Sequence, residues 1–160
     1  TETAFLADQL ERSFYGGAWH GLALAETLEQ VDASMASADA GAGCHSLWQM
    51  VHHLRIWLEI ACQRIEGDPR SGELAPGADW PEITDSSAAA WQATTVAFEE
   101  AHRRLHAKLR AMDDAELANP VSGSDATVRG LIFGILQHNA YHGGQIACLK
   151  KVPGARRSGK

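Results

Sequence analysis

Apolar residues along this chain recur three and four positions apart, and stretches that alternate apolar with polar are almost absent, with β-branched residues scattered. That period belongs to helices packed on one face, so the pattern predicts an all-α protein. A first helical region runs from about Ala4 to Ala33, with a break or kink at Gly16-Gly17. The Ala-, Gly- and Asp-rich stretch from Ala36 to Cys44 reads as a loop. A second helix opens at Ser46, which stands in capping-box spacing with Gln49; it runs to about Ile65 and stops before Gly67-Asp68-Pro69. Three prolines and three glycines between Gly67 and Ile83 make that segment a long surface loop, pinned to the body by Trp80. A third helix extends from about Ser86 to Met112, and Asp113 to Leu117 adds a short turn before Pro120. Thr127 or Asp125 caps a fourth helix that continues to about Lys151 and ends before Pro153-Gly154. Four long helices suit a four-helix bundle, a single domain over residues 1–160 with a short flexible tail from about 152 to 160.

Bulk properties narrow the classes. With 160 residues, 45% apolar and 21% charged, the chain is long enough for a real core and is neither disordered nor fibrous. A net charge of −6 argues against a nucleic-acid binder. The one basic cluster, Lys150, Lys151, Arg156, Arg157 and Lys160, reads as cations favoured at a helix C-terminus followed by a solvated tail. Cys44, Cys62 and Cys148 are odd in number and lack C-x-x-C spacing, which points to a reducing, cytoplasmic setting. The start is unlike a signal peptide, and no apolar run approaches the roughly 20 residues needed to span a bilayer, so no membrane partner is expected.

Eight histidines require an account. Two H-x-x-x-H pairs occur, His102/His106 and His138/His142, where chance at this composition yields about 0.4. Residues four apart share a helix face and can bind one ion together. In the fourth helix Leu131, Ile135, His138, His142, Gln145 and Leu149 follow the 4-3-4-3-4 spacing of a packed seam, which would place three polar residues in consecutive core layers. A metal ion would satisfy both imidazoles; bonds to neighbouring side chains or waters would too. The third-helix stripe is Trp91, Phe98, Ala101, Leu105 and Met112, with His102 at its edge and His106 further out, a partly exposed polar flank. On the second helix, a 100° wheel puts His53 on the flank of the apolar arc between Trp57 and Ile60, while His52 points nearly opposite, among Trp48, Arg55 and Glu59. His53 is therefore the better inward ligand, with His52 the alternative.

The run from His45 to Leu54 (HSLWQMVHHL), with Trp57 beyond it, resembles the second helix of DinB-like proteins, the DinB/YfiT superfamily of metal-binding four-helix bundles. His138-Asn139-Ala140-Tyr141-His142-Gly143-Gly144-Gln145-Ile146 resembles the last helix of that family, and Tyr15-Gly16-Gly17-Ala18-Trp19-His20-Gly21 a turn near the start of one branch. The resemblance implies an up-down bundle with a crossover between the second and third helices, which the long Pro/Gly loop fits. It also implies a divalent metal held by one second-helix histidine, seven residues after the opening serine, and by the fourth-helix pair. Those positions are His53, His138 and His142.

Three neutral imidazoles leave coordination positions open, as catalytic and ligand-binding sites do, whereas structural zinc sites close with four protein ligands. The donors suit zinc or nickel first, with iron, manganese or copper as alternatives. Relatives in the superfamily include thiol-dependent transferases and isomerases. By resemblance this chain is a metal-dependent thiol transferase or isomerase that activates a low-molecular-weight thiol; the alternative is a non-catalytic, stress-related protein that binds metal or a small ligand. Gln145 is a candidate to orient a ligand or bound water, or is merely a structural amide. Tyr141 and Glu59 are acid/base candidates that also read as packing or surface residues. Family bundles often pair side by side, which makes a homodimer the expected assembly, with Trp48 and Trp80 as the sequence's hints of a contact.

Overall fold

A computed structural model describes residues 1–41 and 43–151. Among them are six α-helices: α1 (Glu2–Tyr15), α2 (Leu24–Leu28), α3 (Ala33–Ser37), α4 (Leu47–Glu66), α5 (Ala88–Ala111) and α6 (Val128–Leu149), with a 3-10 turn at Glu116–Ala118 and no strand beyond an isolated bridge between Pro120 and Thr127. The protein is all-α, as the periodicity requires. No described helix is long and apolar enough to cross a membrane. The tail from 152, with Pro153-Gly154 and most of the basic cluster, lies outside the described residues.

The four long helices close around one core. Helix α1 packs on α5 and α6, and α4 packs on the same two. Their directions follow from contacts along their lengths. Trp48 at the start of α4 donates its indole N–H to Thr94 near the start of α5 at 3.0 Å, and Glu66 at the end of α4 pairs with Lys108 near the end of α5 at 2.6 Å. Helices α4 and α5 thus run parallel. Glu2 at the start of α1 takes both arms of Arg129 at the start of α6, at 2.7 and 2.8 Å, so these two also run parallel, opposite to the first pair. The chain between α4 and α5 accordingly has to travel back along the bundle, and residues 67–87 do so. This return carries Asp79 and Trp80 past the middle of α4.

Local chemistry sets the ends. Ser46 Oγ accepts from the Gln49 amide at 3.2 Å and Gln49 Oε1 from the Ser46 amide at 3.0 Å, the reciprocal box expected. Gly67, at φ 84°, closes α4 in the left-handed conformation that glycine adopts without a Cβ penalty, and Asp68 N–H reaches back to Gln63 O at 3.0 Å. Thr127, rather than Asp125, caps α6 by accepting from the Gly130 amide at 3.3 Å.

The first helical region departs from expectation only beyond its break. The break falls at Gly16-Gly17 as expected, where α1 ends at Tyr15 and the chain turns, Gly17 standing at φ 79°, but no second long helix runs on to about Ala33. Helical periodicity resumes because two one-turn helices follow, each with its own cap: Glu26 Oε2 accepts from the Ala23 amide at 2.8 Å, and Asp32 Oδ1 from the Met35 amide at 2.8 Å. Leu24, Val31 and Ala36 then reach the core from these pieces.

The N-terminus of α1 is held from a distance. Asp114 accepts the amides of Glu2 and Thr3 and the Thr3 hydroxyl, each at 2.9 Å. These bonds hold its carboxyl down at about 2, from an ordinary 3.8. A depressed carboxyl stabilises the fold above its unfolded pKa and ceases to as pH falls through its folded value. Asp114→Asn is expected to melt at lower temperature at neutral pH and to lose part of the acid-induced destabilisation seen in wild type between about pH 4 and pH 2, read by thermal melts across that range.

Candidate metal centre

Helix α4 presents Leu54, Leu58 and Ala61 to the core and turns His53 toward α6. His53 is 6% exposed. From the antiparallel α6 come His138 and His142, one turn apart on one face, the first half-buried and the second 6% exposed. One ligating atom from each of the three lies within 4.8 Å of the others. Two nitrogens each about 2.1 Å from a tetrahedral ion lie roughly 3.4 Å apart, so the cluster closes on an ion with small side-chain shifts.

Hydrogen bonds decide which nitrogens face inward. His53 Nδ1 lies 3.3 Å from the Asp79 carbonyl and 3.3 Å from Asp79 Oδ2, so Nδ1 carries the hydrogen and Nε2 the lone pair. His142 Nδ1 donates to Gln145 Oε1 at 2.6 Å, which again frees Nε2, and Gln145 Nε2 in turn donates to the Tyr141 hydroxyl at 3.2 Å. His53 Nε2 and His138 Nε2 face each other at 2.9 Å. Two imidazole nitrogens so placed share either one proton or one cation. Burial holds all three rings toward the neutral form that coordinates metal: it lowers His53 and His142, and takes His138 to about 4 with help from its two neighbours. The donor set and tautomers therefore fit a divalent ion bound through three Nε2 atoms.

Aromatic rings form the walls. Trp80 stacks on His53, with centroids 3.9 Å apart and an 11° interplanar angle, and likewise on His45, at 3.7 Å and 8°. Trp57 approaches His53 and His138 edge-on. A cavity of about 400 Å³ opens on the His53–His138 side, toward Trp57 and Arg64. A second, of about 470 Å³, opens on the His142–Gln145 side, toward His45 and Cys148. The cluster is thus reached from two directions along the α4–α6 seam.

The chain matches the profile of the DinB superfamily over residues 17–146, a span that includes His53, His138 and His142. It belongs to the DinB superfamily. No curated protein and no solved structure matches it.

The three histidines marked in the sequence come together, and His52 does not join them: it is half-buried on another side of α4, its Nδ1 buried without a partner. Gln145 is in place as the orienting amide of His142. Glu59 is occupied by Arg55 at 2.7 Å, while Tyr141 is 64% exposed, meets the His142 ring edge-on with centroids 4.9 Å apart, and bonds to Gln145 through its hydroxyl. The α6 seam is rotated from its expected line. The fully buried row is Val128, Ile132, Ile135, Asn139, Gly143 and Ile146, and the row through Leu131, His138 and Gln145 is a half-buried flank facing the cavities. Trp48 is 1% exposed within the bundle, and Trp80 is half-buried, stacked on His45 and His53 of its own chain.

Asp79 was not marked in the sequence. Its signal was present: a carboxylate next to the tryptophan expected to pin the loop, and ligating histidines commonly donate their second N–H to such a group. Asp79→Ala leaves the three donors and the backbone carbonyl of residue 79 in place but removes the carboxylate that polarises His53 Nδ1. The expected result is about 10- to 100-fold weaker metal binding with little change in fold, measured by competition with a chromogenic chelator.

Proposed function

We propose that this protein binds one divalent metal ion, zinc or nickel, through His53, His138 and His142, and uses it to activate a low-molecular-weight thiol for transfer or isomerisation chemistry. The observation that carries the reading is the meeting of three neutral imidazoles, two of them with tautomers fixed by Asp79 and Gln145, at a point flanked by two cavities. Three protein ligands leave room for an exogenous one, which a structural site would not. When bound, such an ion supplies Lewis acidity and lowers the pKa of a coordinated thiol or water toward neutrality.

The chain's own residues supply the rest. Asp79 and Gln145 keep the His53 and His142 rings turned so that their Nε2 atoms face the shared point. Trp57 and Trp80 pack against the rings and limit water around them, which strengthens electrostatic interactions there. The cavities give a thiol and its electrophile separate approaches, so both can reach the cluster together.

The test is to load the protein with cobalt or nickel and add cysteine or glutathione. Thiol coordination is expected to produce a sulfur-to-metal charge-transfer band in wild type and none in His138→Ala. Thiol-dependent consumption of 1-chloro-2,4-dinitrobenzene by the loaded protein then separates an enzyme from a binding protein. A protein that takes up no metal would overturn the reading.

A further inference from the structure

The cavity on the His53–His138 side ends in a cation with no counter-charge. Arg64 lies eleven residues beyond His53 and seven beyond Trp57 on α4, so all three share a face and line the same 400 Å³ space. The guanidinium has no carboxylate within ion-pairing distance among the described residues, and its Nε is buried without a hydrogen-bond partner. Its place is nevertheless fixed. It lies 5.9 Å from the Trp57 ring on one side, and on another it passes so close to Gly72 that a Cβ there would stand 2.6 Å from its Nη2. Leaving a buried donor unsatisfied is costly, so this donor is prepared for an acceptor that the described residues do not provide.

The opposite wall tells the same story. Ser124, Ala126 and Gly130 bring the start of α6 to the Arg64 end of the cavity, where the helix dipole adds positive potential to the guanidinium. Gly130 and Gly134 lie inside α6, where glycine is less favourable than alanine. Close packing does not explain Gly134, since a Cβ there would meet nothing within 4 Å. What its missing side chain provides is open space between Arg64 and His138.

We propose that this cavity binds a small organic acid, its carboxylate on Arg64 and its apolar body along Trp57 and Leu131, with the far end at the histidine cluster. The planar fork of arginine matches a carboxylate, and a volume near 400 Å³ is that of a metabolite-sized ligand. This assigns the substrate class of the metal site and rests on that reading for its catalytic meaning, although the anion site stands on its own geometry.

The experiment uses metal-loaded protein titrated with 4-phenylbutyrate and, separately, its neutral amide, followed by calorimetry and amide-resolved NMR. The acid is expected to bind with shifts concentrated at Gly130, Leu131, Gly134 and the Trp57 indole. Arg64→Gln should weaken the acid about tenfold or more while leaving the amide unchanged, because a hydrogen bond to a charged group is lost. Gly134→Leu, on the open side of a helix that gains propensity from the change, should block the acid while retaining metal. Equal binding of acid and amide, or an Arg64→Gln variant that binds the acid like wild type, overturns the proposal. Metal per chain is measured in every sample. Full metal with no acid binding removes this inference alone, whereas acid binding through Arg64 without metal upholds the anion site and removes the metal reading.

Discussion

His138→Ala is expected to lose metal almost completely, and His53→Ala and His142→Ala with it, while His52→Ala keeps the wild-type content of about one ion per chain. The size of the effect follows from the ligand count. Apparent binding energies of about 10–16 kcal/mol for four-ligand zinc sites come to about 3 kcal/mol or more for each ligand, so removing one of three weakens binding at least about a hundredfold. The fold should survive. The core beside the site is built from Leu54, Leu58, Ile132 and Ile135, none of which depends on an imidazole for its packing. Elemental analysis after purification, followed by titration with zinc, nickel, manganese and iron, gives the result directly, with circular dichroism as the control for fold. Metal should also raise the melting temperature of wild type and not of His138→Ala, since only a protein that binds the ion in its folded form gains stability from it. Retention of metal by His138→Ala, or its loss from His52→Ala, would move the site elsewhere on α4 and α6.

The contrast between His52 and His53 shows what the sequence could carry. Adjacent residues on a helix point about 100° apart, so a wheel separates them even when nothing else does. Helix ends were legible for the same reason: Ser46 with Gln49, Thr127, and Gly67 act within one turn, and their chemistry is local. The bundle's pairings were less so. Helix α6 packs against both α1 and α4, and its buried arc is wider than a single seam. Ile135 and His142 belong to that arc on either reading, but the true core row passes through Asn139, whose side chain donates to Ser13 Oγ on α1 at 3.4 Å. A sequence read one helix at a time cannot tell which of two neighbours a polar residue faces. It therefore assigned His138 and Gln145 to the core layers, when they line the cavities. Asp79 was hidden for another reason: its place beside His53 depends on the path of the return segment 67–87, and no periodicity governs that path.

His102 is the second case of a neighbour deciding a residue's fate, and its consequence is a loss of stability in acid. On α5 alone it borders the apolar stripe and reads as a polar flank. In the fold, α1 covers that flank and leaves His102 1% exposed, stacked on Phe14 at 4.2 Å, with Nε2 donating to the Leu10 carbonyl at 3.0 Å and Nδ1 buried without a partner. Burial lowers its pKa from 6.5 to about 4, against the bond to Leu10, which favours the charged ring. Between those values the unfolded chain binds a proton that the folded protein refuses. Stability contributed by the neutral ring is therefore complete above about pH 6.5 and is lost as pH falls toward 4, a total of about 3 kcal/mol at 1.36 kcal/mol per unit. His102→Gln keeps an N–H donor for Leu10 but does not titrate. Urea unfolding of wild type and variant at pH 7, 5.5 and 4.5, both in chelator so that the metal site is in one state, should show the gap between them shift by about 2 kcal/mol in favour of the variant over that range. Parallel pH profiles would mean that the ring accepts its proton inside the fold, and that α1 yields at its contact with α5 well before the rest of the bundle.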